Sequence, residues 1–134
     1  MNFVLDTNAV SESRKPRPNS GLMDWHAAHD PAHLFITTIT LAEVWQGFHA
    51  LEPEHPDYER IKRFATDLPR RYRVLNFDAR SAAIWGEITG RIKSPLPLRD
   101  SLIAAIARAR GYRVVTRDTA PFERAGCKVV NPWK

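Results

Sequence analysis

Four carboxylates stand at the borders of apolar runs: Asp6, Glu43, Asp100 and Asp118. Asp6 closes Phe3-Val4-Leu5. Glu43 lies just beyond Leu34-Phe35-Ile36, Asp100 opens Leu102-Ile103-Ala104-Ala105-Ile106, and Asp118 follows Val114-Val115-Thr116. Oxygen ligands without a His or Cys cage suit a hard cation, so the expected guest is Mg²⁺ or Mn²⁺ rather than Zn²⁺. Such an ion polarises a phosphate and lowers the pKa of a bound water, and a spare carboxylate can take that water's proton. The chemistry expected of this set is phosphodiester hydrolysis.

Each acid also has an ordinary structural reading. Asp6-Thr7-Asn8 can be a turn or a helix cap. Thr40-Leu41-Ala42-Glu43 spells a capping box, with Thr40 as N-cap and Glu43 reaching back to it. Asp100 falls in a first helical turn, where the helix dipole favours negative charge. Asp118 can begin a turn. What the single readings leave unexplained is the set: gathered like charges repel, and such a group persists only beside a compensating cation.

The elements needed to gather them are legible in the apolar pattern. Phe3–Leu5, residues 33–37, Arg73–Leu75, residues 113–116 and residues 128–130 read as five short, buried strands. Helical spacing marks Leu22-Trp25-His26-His29, then Leu41-Val44-Trp45-Phe48-Leu51, Ile61-Phe64-Ala65-Leu68 up to Pro69, and Ile84-Ile88-Ile92. The Ala-rich segment 99–110 reads as a deeply packed helix stopped by Gly111. Strands alternating with helices imply an α/β fold, a parallel sheet of about five strands with helices on both faces, formed as one domain over residues 1–134. In such sheets ligands bind beyond the strand C-termini.

Bulk properties narrow the partners. Twenty Lys and Arg against fifteen Asp and Glu give a net charge of +5, which favours an anionic partner. The single cysteine, Cys127, excludes an intrachain disulfide and points to a reducing, cytoplasmic setting. The N-terminus lacks the basic lead and apolar stretch of a signal peptide. No apolar run approaches the roughly 20 residues of a membrane span.

Other phosphate chemistries fit poorly. A receiver domain wants an acidic pair after its first strand and a late Lys, whereas this chain has Asp6-Thr7-Asn8 and Thr116-Arg117. A haloacid-dehalogenase-like phosphatase wants Asp-x-Asp, and position 8 is Asn. His26, His29 and His33 share a region but read as packing or surface residues. Trp25, Trp45 and Trp85 read as core or dimer interface, and the basic runs 60–63 and 70–73 as solvated faces or RNA contacts.

The segments Val4-Leu5-Asp6-Thr7-Asn8, Thr38-Ile39-Thr40-Leu41-Ala42-Glu43, Asp100-Ser101-Leu102-Ile103-Ala104-Ala105, Val115-Thr116-Arg117-Asp118 and Val130-Asn131-Pro132-Trp133 together resemble PIN-domain ribonuclease toxins of the VapC family, in the FitB-like branch. The resemblance spans nearly the whole chain. It implies a PIN-like three-layer fold and an Mg²⁺- or Mn²⁺-dependent endoribonuclease, the toxin of a type II toxin–antitoxin system, with tRNA among its possible substrates. It assigns Asp6 and Asp100 as the main metal ligands and Glu43 and Asp118 as the other two acids. Asp118 stands where many family members carry Asn. Asn8 and Thr116 match polar positions that support the acids by hydrogen bonds. The resemblance further implies a homodimer, a higher toxin–antitoxin assembly, and a DNA-binding, inhibitory antitoxin that places a basic side chain in the acidic site. The competing reading is a non-catalytic PIN-like domain that binds RNA or protein.

Overall fold

The computed structural model describes residues 1–134. Five strands, β1 (Phe3–Leu5), β2 (Leu34–Thr37), β3 (Arg73–Leu75), β4 (Arg113–Val115) and β5 (Val129–Val130), form one sheet in the order β3-β2-β1-β4-β5. Every pairing is parallel. The chain runs outward from β1 to β2 and β3, then returns to the other side of β1 as β4. The order therefore reverses between β1 and β4, and the crevice beyond their C-termini is where such sheets receive ligands.

The strands are short and apolar because both faces of the sheet are covered. Phe3, Leu5, Leu34, Ile36 and Val115 face one core, which α1 (Thr7–Glu12), α2 (Ser20–Ala27), α3 (Thr38–His49) and α4 (Tyr58–Arg71) close with Ala9, Val10, Leu22, Val44, Ala65 and Leu68. Val4 and Val114 face the other, covered by α5 (Ala79–Arg91), α6 (Leu98–Arg110) and α7 (Thr119–Arg124) through Ile88, Ile103, Ala104, Ala105, Ala107 and Phe122. The period-two alternation of strand side chains splits neighbours between the two cores. The Ala-rich α6 packs flush, with Ala104, Ala105 and Ala107 fully buried. It ends at Gly111, whose φ of 71° is the left-handed conformation that glycine adopts without a Cβ clash.

Three expectations change. Helix α3 begins at Thr38 and its N-cap is Thr37, whose hydroxyl accepts from the Thr40 N–H at 3.2 Å. Thr40 is thus inside the helix, and Glu43 lies too far along to close a capping box. Helix α4 does not end at Pro69 but continues to Arg71. Proline costs one backbone bond there, while burial of Leu68 and Tyr72 holds the last turn together. Helix α7, which opens at Asp118, has no counterpart in the expected elements; at six residues it is too short to show a period, and one side chain, Phe122, anchors it.

Candidate active site

Register brings the first acid to the switch point. Leu5 pairs with Val115, so the next residues, Asp6 and Thr116, emerge side by side from the centre of the sheet. The Asp6 N–H donates to Val115 O at 3.1 Å, and the Thr116 N–H to Val130 O at 3.0 Å. Asp6 then caps α1, its Oδ1 accepting from the Ala9 N–H at 2.8 Å. The capping role and the site position therefore coincide in one side chain.

Burial grades the four acids. Asp6 is only 2% exposed, Glu43 and Asp100 are half-buried, and Asp118 is exposed. Burial, reinforced by the negative fields of Asp100 and Glu43, pushes the Asp6 pKa up to about 6, against the opposing hydrogen bonds from Thr116 and the Ala9 N–H. Asp100 is raised by burial and then by the fields of Asp118 and Glu43. Asp6 thus lies within electrostatic reach of Asp100 and Glu43, and Asp100 within reach of Asp118 and Glu43, the four acids coming from four separate elements. None of Asp6, Asp100 and Asp118 has a salt bridge within the chain. Glu43 alone has one, with Arg99 Nη1 3.4 Å from its Oε2.

Around the acids runs a hydroxyl chain. Thr7 Oγ1 donates to Glu43 Oε1 at 2.8 Å. Its single proton is committed there, so the buried Thr40 hydroxyl, 3.0 Å away, must be the donor to Thr7. The Thr116 hydroxyl accepts from the Asp118 N–H at 3.0 Å and lies beside Asp6, where it works to lower that carboxyl's pKa. Thr116 therefore sits between two of the acids. Asn8 is exposed in α1, about 100° round the helix from Thr7, and has no hydrogen bond to an acid. Thr7 is the neighbour that bonds one. Thr7 and Arg99 escaped the sequence reading, since their contacts with Glu43 span thirty-six and fifty-six residues. The only signal was the hydroxyl beside Asp6 and the cation beside Asp100.

The acids do not form a closed cage, and no three His, Cys, Asp or Glu side chains are gathered at metal-holding distances. An ion that keeps most of its waters needs only one or two carboxylates directly, so the oxygen-only donor set fits Mg²⁺ or Mn²⁺. The histidines take no part. His26 Nε2 bonds Tyr72 Oη at 2.8 Å, His29 stacks on Trp25 with centroids 4.0 Å apart, and His33 Nδ1 meets Asn2 at 2.8 Å. Trp25 and Trp45 pack against the first core and Trp85 against the second. No helix is long and apolar enough to cross a membrane.

The chain is similar to known proteins over nearly its whole length. Residues 3–127 match the PIN domain family. The chain is 36% identical to the plasmid stability protein StbB of Pseudomonas syringae pv. tomato, covering 98% of this chain and 99% of that one. It is 34% identical to the VapC ribonuclease Y4jK of Sinorhizobium fredii, covering 98% of each. The crystal structure of FitAcB from Neisseria gonorrhoeae contains a chain that superposes with a TM-score of 0.87 at 30% identity, covering 98% of both. The alternation of strands and helices, the switch-point aspartate and these likenesses agree: the chain belongs to the PIN domain family, in its VapC and FitB toxin branch.

Proposed function

We propose that this chain is a divalent-metal-dependent endoribonuclease, the toxin of a toxin–antitoxin pair. The observation that carries this reading is the uncompensated charge at the switch point. Asp6 is buried there among Glu43 and Asp100, and the chain supplies none of Asp6, Asp100 and Asp118 with a paired cation. Burying a carboxylate without a counter-charge is costly unless a ligand brings one. The similarity to proteins named as ribonucleases supports the same reading.

Asp6 and Asp100 would hold the ion, with Asp118 and Glu43 completing its surroundings. When bound, Mg²⁺ or Mn²⁺ supplies Lewis acidity at the phosphate and lowers the pKa of water. The chain's residues then have separate tasks. Thr116 steadies Asp6 and the turn carrying Asp118. Thr7 fixes one oxygen of Glu43, leaving the other facing Arg99. Glu43 takes the proton of the attacking water as its oxygen bonds to phosphorus and the bond to the leaving oxygen breaks. Arg99, loosely held and half-exposed, can leave Glu43 for a substrate phosphate.

The partner is a cognate antitoxin that binds DNA and inhibits the enzyme. One solved FitAB complex, 30% identical to this chain with a TM-score of 0.88, is bound to a DNA fragment. An acidic crevice on a chain of net charge +5 suits both a basic inhibitory side chain and a polyanionic substrate. The test is RNA cleavage by purified chain with Mg²⁺ or Mn²⁺, with EDTA, and by Asp100→Asn. Cleavage is expected only for the wild-type chain with metal. Cleavage that persists in EDTA or in the variant, with contaminating nuclease excluded, overturns the mechanism; no cleavage of any RNA favours the binding-only reading.

A further inference from the structure

Beside the acids, a cavity of about 310 Å³ opens between α1, α3 and the loop before α4. Its wall shares Thr7 and Glu43 with the candidate active site and continues through Gly47, Arg14 and His55. We propose that this cavity is an RNA subsite that holds the nucleotide next to the scissile phosphate. The proposal rests on the endoribonuclease reading and assigns a specificity site to it.

Three features argue for a nucleotide. First, Arg14 has no acidic partner in the chain; its guanidinium lies 6.0 Å from the centroid of the Phe64 ring and remains exposed. It is free to meet a phosphate. Second, His55 Nδ1 accepts from the Asp57 N–H at 3.0 Å, which puts the proton of the neutral ring on Nε2. The exposed His55 can then donate from Nε2 to an acceptor on a base edge. Third, Val44, Leu51 and Ile61 give the cavity an apolar side against which the face of a base can pack by van der Waals contact. A more open depression lined by Arg14, Lys15, Asp57 and Arg60 adjoins it; Lys15 is paired there with Glu12 and Arg60 with Asp57, which leaves Arg14 as the cation without an acidic partner at the junction of the two. The cavity is at the small end of ligand pockets, roughly 300 Å³ and upward, and suits one nucleotide.

Gly47 shares with Gly86 and Gly90 of α5 a helical position where an added Cβ would meet nothing, and of the three it is the one that lines the cavity. It lies in the interior of α3, where alanine would give a more stable helix. A Cβ at Gly47 would meet nothing within 4 Å, so packing does not demand glycine there. What the missing side chain leaves is open space in the cavity wall.

That glycine provides a test in which folding is not at risk. Binding of a short labelled single-stranded RNA is measured by anisotropy in the Asp100→Asn background, in EDTA, with Gly47→Leu or Arg14→Ala added. Gly47→Leu is expected to melt no lower than its parent yet bind RNA about fivefold more weakly. Arg14→Ala is expected to weaken binding comparably and to reduce the salt slope by about one. In the otherwise wild-type chain with Mn²⁺, His55→Ala should alter which base is preferred beside the cut. Unchanged affinity and unchanged cleavage positions in all three overturn the subsite while leaving the nuclease intact. Normal RNA binding with loss of antitoxin binding also overturns it, assigning the cavity to a protein partner. A wild-type chain that cleaves no RNA removes the underlying reading instead.

Discussion

Two helix N-termini in this molecule use the same local device and have opposite electrostatics. Asp6 caps α1 and Asp78 caps α5, each accepting from the N–H three residues on, at 2.8 and 2.9 Å. Asp78 follows the edge strand β3, stands exposed, receives the Ser81 hydroxyl at 2.7 Å, and meets Arg110 Nη2 at 3.2 Å. Hydrogen bonds from the Ser81 N–H and hydroxyl, with Arg110 beyond them, hold its pKa below the usual carboxylate range. Asp6 follows the central strand, is buried, and has acids where Asp78 has an arginine, so its pKa is raised. A cap therefore says nothing about function by itself. Whether the surroundings bring a counter-charge is what separates a structural aspartate from one poised for a cation.

The largest effect should come from removing a carboxylate on the uncompensated side. Asp100→Asn is expected to abolish RNA cleavage with its fold intact by circular dichroism, whereas Asp78→Asn should cleave normally. Equal activity of the two variants would erase the comparison. Glu43→Gln should lower kcat by about 100-fold, the scale of general-base catalysis. It should leave the melting temperature unchanged, because Thr37 and not Glu43 caps α3.

Stability sharpens the contrast. Folded Asp6 holds its proton more tightly than an ordinary aspartate at 3.8, up to about 6. Its contribution to the stability of the metal-free chain is therefore full below the unfolded pKa and is lost as pH rises through about 6. Asp6→Asn should remove that fall and stabilise the chelated chain by about 1–3 kcal/mol at neutral pH, read by denaturant titration. Lower stability of the variant under those conditions would show that Asp6 has a counter-charge after all. In the wild-type chain, adding Mg²⁺ or Mn²⁺ should raise the melting temperature, and in Asp6→Asn much less.

A smaller effect lies away from the site. Thr37→Ala removes the N-cap of α3 and should cost about 1 kcal/mol, which a Thr40→Ala change would not reproduce by loss of a cap. The smallest concerns His26, whose pKa is lowered by burial and by Arg71. A depressed histidine contributes stability that is full above its unfolded value of 6.5 and is lost as pH falls below it. His26→Gln should flatten the stability profile on that acidic side. Asp6 and His26 thus tilt the profile in opposite directions within the same acidic range, below about pH 6.5.

Much of the fold was legible because apolar runs bounded by Gly, Pro and charge have few ways to be buried. Phe3–Leu5 and Arg73–Leu75 were read to the residue, and Gly111 as the end of α6. What failed shares one cause. The start of α3, the passage of α4 through Pro69 and the existence of α7 each depend on contacts from elsewhere in the chain. Thr40-Leu41-Ala42-Glu43 is a sound capping box as a string; burial of Thr37 and Thr40 against the fold moves the helix start upstream.

The sequence by itself determined the residue types: four acids at element borders, a parallel α/β alternation, and an oxygen-only donor set. Those follow from covalent order and short-range pattern. The tertiary structure alone decided which acids lack a counter-charge, that Thr7 rather than Asn8 braces Glu43, and that Arg99 reaches Glu43 across fifty-six residues. It also decided that the cavity beside them is open. Electrostatic fields and hydrogen bonds act through space, so their partners are set by strand register and helix packing, which no local window of sequence contains.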